Sequence, residues 1–171
     1  MHQHSEKIAN LDRMRGLAAF DLFNPDLREQ LHGLCQHSAA RVGMPIAAVQ
    51  AVLDTATATL AASDGGQELE GLGGGPNEFA FCPQVVVDEA PFVADDLTQD
   101  PVRGDNPFVQ AGLVRSYAGV PLRLPSGHIL GAHCVMSDEP HAFTDADIAL
   151  LTRVGDEVVE TIRRYDLAAP G

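Results

Sequence analysis

Apolar positions recur along this chain with two periods, and the changes of period mark its elements. Leu27, Leu31, Leu34, Ser38 and Val42 fall at helical spacing, with Ser38 the one polar member. Asn24 ahead of them suits a helix cap and Pro25 the first helical position, while Gly43 and Pro45 stop the helix. Upstream, Ile8, Leu11, Met14 and Ala18 predict a shorter amphipathic helix whose narrow stripe needs a partner surface. "IAAVQAVL" (46–53) and "TATATLAA" (55–62) predict two strands of a hairpin, the second alternating Thr with Ala and Leu as a half-buried strand does. Near the C-terminus Thr144 and Asp147 form a capping box, with Phe143 and Ile148 as its staple. The stripe Ile148, Leu151, Val154, Val158, Ile162 and Tyr165 then predicts a helix from about 145 to 165, its outer face carrying Arg153, Glu157, Glu160 and Arg164.

Between these elements the pattern is less regular. "SDGGQELEGLGGGPNE" (63–78) is too polar and glycine-rich for a sheet interior. "FAFCPQVVVDEA" (79–90) fits either a strand, on its three valines, or a short helix opened by Pro83. Residues 91–112 are rich in Pro, Asp and Asn, with one short apolar piece, Pro91 to Ala94, that fits a strand. An irregular segment of that length is usually functional.

"SYAGVPLRLPSGHILGAHCVM" (116–136) predicts a hairpin around a three-residue loop, Pro125 to Gly127. Closing that loop between Leu124 and His128 pairs Leu122 with Leu130, Val120 with Ala132 and Ala118 with Cys134 on one face. Gly119 with His133 and Tyr117 with Val135 then share the other. Pro121 requires a bulge or an edge. His133 and Cys134, adjacent in a strand, point to opposite faces and cannot form a Cys-His dyad. This register sends His133 toward an open face beside Tyr117 and Gly119, and Cys134 into packing.

Composition narrows the function classes. The chain has 171 residues, 45% hydrophobic and 20% charged, enough for one domain with a real core. A net charge of -13, with Lys7 the only lysine, opposes direct nucleic-acid binding. The N-terminus lacks a signal-peptide core and no apolar run is long enough to span a bilayer, so a cytoplasmic location is expected. Cys35, Cys82 and Cys134 are widely spaced and odd in number, which predicts reduced thiols rather than a disulfide framework or a zinc site.

"AFCPQVVVDEAPFVADDLTQDPVRGDNPFV" followed by "VRSYAGVPLRLPSGHILGAHCVMSDEPHAFTDADIALL" resembles a GAF domain in the order and spacing of its parts. These are a Phe-Cys element, an Asp-Leu segment, a Tyr-Ala-Gly-Val-Pro-Leu strand and a glycine-centred hairpin before a C-terminal helix. The resemblance implies an α+β, GAF/PAS-like fold. Its central antiparallel sheet has five or six strands, with N- and C-terminal helices on one face and, on the other, a ligand cavity with short helices and loops. It turns "FCPQVVVDEA" into a short helix and makes the Pro- and Asp-rich stretch a pocket wall. The expected division is an N-terminal helical extension (1–23), the GAF domain (24–164) and a C-terminal tail (165–171).

The resemblance further implies a sensory module that binds a small metabolite, dimerises through its terminal helices and signals to a separate partner protein, without direct nucleic-acid or membrane contact. Subfamily signatures are missing. The Asn-Lys pair of cyclic-nucleotide binders and the Cys-His of bilin binders are absent. Of the several cysteines of free methionine-R-sulfoxide reductases, only Cys82 stands in place, and "GHIL" (127–130) lies in the hairpin rather than at that motif's position. Relatives often carry Leu where His133 stands; His133 is a candidate ligand contact and a conceivable haem ligand. The expected cavity residues are Phe79, Phe81, Cys82, Asp95, Phe108, Tyr117 and His133, with no catalytic or metal set and no cofactor called for beyond an unknown metabolite. The alternative is a thiol redox protein resembling free methionine sulfoxide reductases, in which Cys82 at a helix N-terminus acts as a thiolate. A purely structural dimerisation module with a filled pocket is a third reading.

Overall fold

The computed structural model describes residues 6–168. Six antiparallel strands form one sheet in the order β3-β2-β1-β6-β5-β4: β1 (Ile46–Val52), β2 (Ala56–Ala62), β3 (Gly74–Pro76), β4 (Phe92–Ala94), β5 (Ser116–Arg123) and β6 (Ile129–Ser137). Helices α2 (Pro25–Val42) and α6 (Asp145–Arg163) cover one face. The other carries α4 (Cys82–Asp88) and the irregular segment with α5 (Pro107–Gln110). A short α1 (Leu11–Ala18) precedes them, and α3 (Gln67–Leu72) lies in the glycine-rich stretch.

The helix limits follow their caps. Asn24 Oδ1 accepts from the amides of Asp26 and Leu27, and Gly43 ends α2 with φ +75°. The Thr144–Asp147 capping box is formed in both directions. The stripes of α2 and α6 are buried against the sheet of their own chain, through Leu27, Leu31, Cys35, Ser38 and Val42, and through Leu151, Val154, Val158 and Ile162.

Three expectations change here. Strands β1 and β2 are covered on both faces beyond their first residue, so β2 is not half-buried: Thr57 and Thr59 are enclosed and hydrogen-bonded to Asn77 and Gln50. The glycine-rich stretch folds into α3 and the edge strand β3 rather than a bare loop. The N-terminal stripe is not the buried face of α1. Leu11 is 62% exposed and Ala18 is exposed, while Arg13 and Leu17 are buried.

Arg13 explains that rotation. Its guanidinium donates to the carbonyls of Ile8 and Ile129, each at 3.0 Å, and to those of Val52 and Leu130. One side chain thus ties α1 to the ends of β1 and β6. Burial draws its pKa down to about 10, which leaves it cationic at neutral pH.

The final hairpin holds the main correction. Its loop closes as expected, with Leu124 N donating to His128 O at 2.9 Å and Gly127 at φ +92°. Arg123 opposes Ile129, but Leu122 opposes Gly131, because a bulge absorbs Leu130. Every later pair moves by one: Val120 faces His133, Gly119 faces Cys134 and Tyr117 faces Met136. Pro121 is tolerated because β4 pairs only with Tyr117 to Gly119, which leaves β5 an edge strand there.

Candidate functional site

A cavity of about 140 Å³ opens on the sheet face away from α2 and α6. Gln50 and Thr57 form its floor, and the backbone of Gly74, Gly75 and Pro76 one side. Leu69 and Leu72 of α3, the segment Phe79 to Phe81, Phe108, Val114 and Met136 complete the wall. The rim is set by side chains of local origin. Asn106 Oδ1 caps α5 by accepting from Phe108 N at 2.9 Å, and its Nδ2 donates to Phe79 O at 3.1 Å. The two phenyl rings stand edge to face, 6.5 Å apart.

Beneath the cavity lies a buried polar cluster. Gln50 Oε1 accepts from Cys82 Sγ at 2.7 Å, Cys82 Sγ lies 3.0 Å from Tyr117 Oη, and Gln50 Nε2 donates to Thr59 Oγ1 at 3.2 Å. Cys134 Sγ reaches the same Gln50 oxygen at 4.0 Å. Tyr117, Cys82 and Cys134 are fully enclosed. Burial, then the neighbouring Cys82, pushes the Tyr117 hydroxyl well above its usual range. The Cys134 thiol is pushed up by its contact with Cys82 and by burial. The ring of Tyr117 is held between Phe81 and Phe92, at 5.4 and 5.7 Å. Gly119 leaves room for that ring, not for an imidazole: a Cβ there would run into the Tyr117 hydroxyl.

Two of the expected cavity residues lie elsewhere. His133 turns to the helix face because the bulge at Leu130 inverts the facing of β6. Its Nδ1 donates to Ala48 O at 2.9 Å and its Nε2 accepts from Ser38 Oγ at 2.8 Å. Both ring nitrogens are engaged, so it offers no ligand to haem. Burial lowers its pKa to about 4, so it is neutral. Cys134 takes the place toward the cavity side that His133 was expected to hold; the two groups do face apart. Asp95 is exposed and serves the loop before α6, accepting from Phe143 N through Oδ1 and from His141 N through its carbonyl.

Of the other expected residues, Phe79, Phe81 and Phe108 line the cavity, while Cys82 and Tyr117 lie under its floor. Gln50, Thr57 and Met136 were missed. The one signal for Gln50 was an amide in the middle of an otherwise apolar strand.

The Pro- and Asp-rich segment, which contributes Phe108 to the cavity wall, is pinned by ion pairs. Arg115 holds Asp96 through two contacts of 3.1 and 3.0 Å, which keeps that carboxyl at about 2, and Arg103 lies 4.2 Å over the Phe92 ring. Residues 24–163 match the GAF domain family. The chain belongs to that family. GAF domains are typically sensory or regulatory units of signalling proteins.

Over 78 residues this GAF domain is 37% identical to a cyclic di-GMP phosphodiesterase of Pseudomonas aeruginosa, a match spanning 44% of the chain but 13% of that enzyme. Among solved structures it is similar to the GAF domain of a phosphoenolpyruvate-protein phosphotransferase from Coxiella burnetii, with TM-score 0.67, 15% identity, and 90% and 92% of the two chains covered. It is also similar to a type II free methionine-R-sulfoxide reductase from Thermoplasma acidophilum, with TM-score 0.64, 18% identity, and 85% and 98% covered. At these identities the structural likeness concerns the fold. No helix among the described residues is long and apolar enough to cross a membrane.

Proposed function

We propose that this GAF domain is a non-enzymatic sensor that binds a small molecule in the cavity over Gln50 and passes its occupancy to a signalling partner. The observation that carries the reading is the cavity itself, which has an apolar wall, a polar floor and one side built from the glycine-rich β3 and the short α3. Signalling through a homodimer would use the outer faces of α2 and α6, around Leu34, Glu157 and Arg164, because the apolar stripes of both helices are covered by the sheet. Native mass spectrometry of the protein as purified tests the reading by detecting retained small-molecule mass. Hydrogen exchange in residues 63–76 should then slow with occupancy; unchanged exchange with a confirmed ligand overturns it.

A second reading, thiol redox chemistry, is favoured by one specific observation: Cys82 and Cys134 converge on the same Gln50 oxygen. Two thiols supply the two electrons that reduce a sulfoxide to a thioether and water while they form a disulfide. Methionine sulfoxide reduction by the intact protein that vanishes in Cys82→Ser and in Cys134→Ser would establish it. The sensor remains the better reading because both sulfurs are fully enclosed under the floor.

A further inference from the structure

Among the described residues no charged side chain lines this cavity, in contrast to four other clefts of the surface. The cleft between α1 and the last hairpin contains Lys7, Arg13 and Glu89. That beside α3 contains Arg28, Asp64 and Glu70, and those along α6 contain Arg163 with Asp166, and Glu157 with Glu160 and Arg164. In the cavity over Gln50 the polar side chains are the amide of Gln50 and the hydroxyl of Thr57, set among Leu69, Leu72, Phe79, Phe81, Phe108 and Met136. A charge seated against Gln50 would give up part of its water and meet no counter-ion in the lining, which is unfavourable.

Size and shape restrict the occupant further. The volume, about 140 Å³, is close to the roughly 150 Å³ of an apolar cavity known to take up benzene. Phe79 and Phe108 stand edge to face at the rim, an arrangement to which a further flat ring adds favourably. The floor asks for little more. Gln50 Nε2 uses one N–H on Thr59, and Thr57 Oγ1 donates to Asn77 Oδ1 at 2.8 Å. One amide hydrogen and the lone pairs of one hydroxyl are thereby left for a ligand.

Resting on the reading of this cavity as the ligand site, we infer that its ligand is an uncharged molecule carrying a single aromatic ring and one small hydroxyl or carbonyl group. The ring lies among Phe79, Phe81, Phe108 and Leu69; the polar group faces Gln50 and Thr57. The chain's net charge of -13 disfavours anions further, so a cationic probe is the sharper test of the uncharged class.

Three probes that share a benzyl skeleton and differ in charge test the inference: benzyl alcohol, benzoate and benzylammonium, each titrated into the full chain and followed by two-dimensional NMR. Gly75→Leu is the blocking variant. Gly75 pairs with Thr57 and so points to the cavity face, and an added Cβ there meets nothing within 4 Å, so the side chain enters the cavity without disturbing β3. Benzyl alcohol is expected to shift the resonances of Thr57, Gly75, Phe81 and Met136 and to bind at least about tenfold more tightly than either charged probe, and Gly75→Leu to abolish its binding. Equal or tighter binding of benzoate or benzylammonium that Gly75→Leu abolishes overturns the uncharged class and leaves the site standing. Binding of benzyl alcohol that Gly75→Leu leaves unchanged, or no shift at these residues with any probe, overturns the site along with the class.

Discussion

The buried imidazole of His133 makes fold stability depend on acid in a way that can be isolated. Held by Ala48 O and Ser38 Oγ with no carboxylate among those partners, it has a pKa lowered to about 4 by burial, against about 6.5 in an unfolded chain. Between those two values the unfolded chain binds a proton that the folded chain refuses, so stability is full above about pH 6.5 and falls as the pH drops toward 4. A gap of about two and a half pH units at about 1.4 kcal/mol each gives a loss of about 3 kcal/mol, a large share of the total stability of a small domain. The control is His133→Leu combined with Ser38→Ala, which removes the titrating group and the hydroxyl it would orphan. Urea unfolding at about pH 7 and about pH 4.5 gives the free energies. Because pH 4.5 still lies above the folded pKa, the wild type is expected to lose about 2 kcal/mol more than the double variant over that interval, since the carboxylates are common to both. Parallel losses, or an NMR titration that puts His133 near 6.5, would refute the argument.

Gly119→Ala should destabilise by about 1–3 kcal/mol, because its Cβ overlaps the Tyr117 hydroxyl; adding Tyr117→Phe should recover part of the loss, which thermal unfolding of the pair will show. Arg13→Met should cost at least about 2 kcal/mol, since it strips a charged donor from the buried carbonyls of Ile8, Val52, Ile129 and Leu130, and amide exchange at the N-terminal helix should speed up. All three thiols should resist alkylation in the native protein at neutral pH and react together on unfolding. Each is buried, and desolvation and the nearby Glu70 push Cys35 to about 12.

What could be read from the residues was local. Asn24, Gly43, Thr144 and Asp147 act through groups a few residues away, so the long helices began and ended where their caps lie, to within two residues. The loop from Pro125 to Gly127 is local in the same sense. The register beyond it is not. Nothing near Leu130 marks it as the residue a bulge absorbs, yet that extra residue decides which of His133 and Cys134 looks toward the cavity. Arg13 escaped for a related reason. A charged side chain in an amphipathic pattern reads as solvent-facing until the carbonyl ends of β1 and β6 are brought to it from far along the chain. The aromatic rim was legible as composition, whereas the glycine-rich side of the cavity required knowing that β3 pairs with β2.

The inverted facing of β6 also gives the cavity a short mechanical connection to the helices. Cys134 Sγ reaches the Gln50 oxygen under the cavity floor, and the next residue, His133, is bonded to Ser38 on α2. In β1 the neighbour of Gln50, Val49, pairs with His133 and packs in the helix-side core. A ligand that takes up the free N–H of Gln50 therefore pulls on a group two residues from a helix contact, through strands too densely packed to absorb the change. The expected outcome is that benzyl alcohol bound at Thr57 and Gly75 also shifts the ring resonances of His133, with the same midpoint, and that Ser38→Ala leaves the midpoint alone while altering the His133 shift. A His133 signal that stays fixed while the cavity fills would mean that the sheet isolates the two faces, and a sensor built on this domain would have to signal through the glycine-rich edge instead.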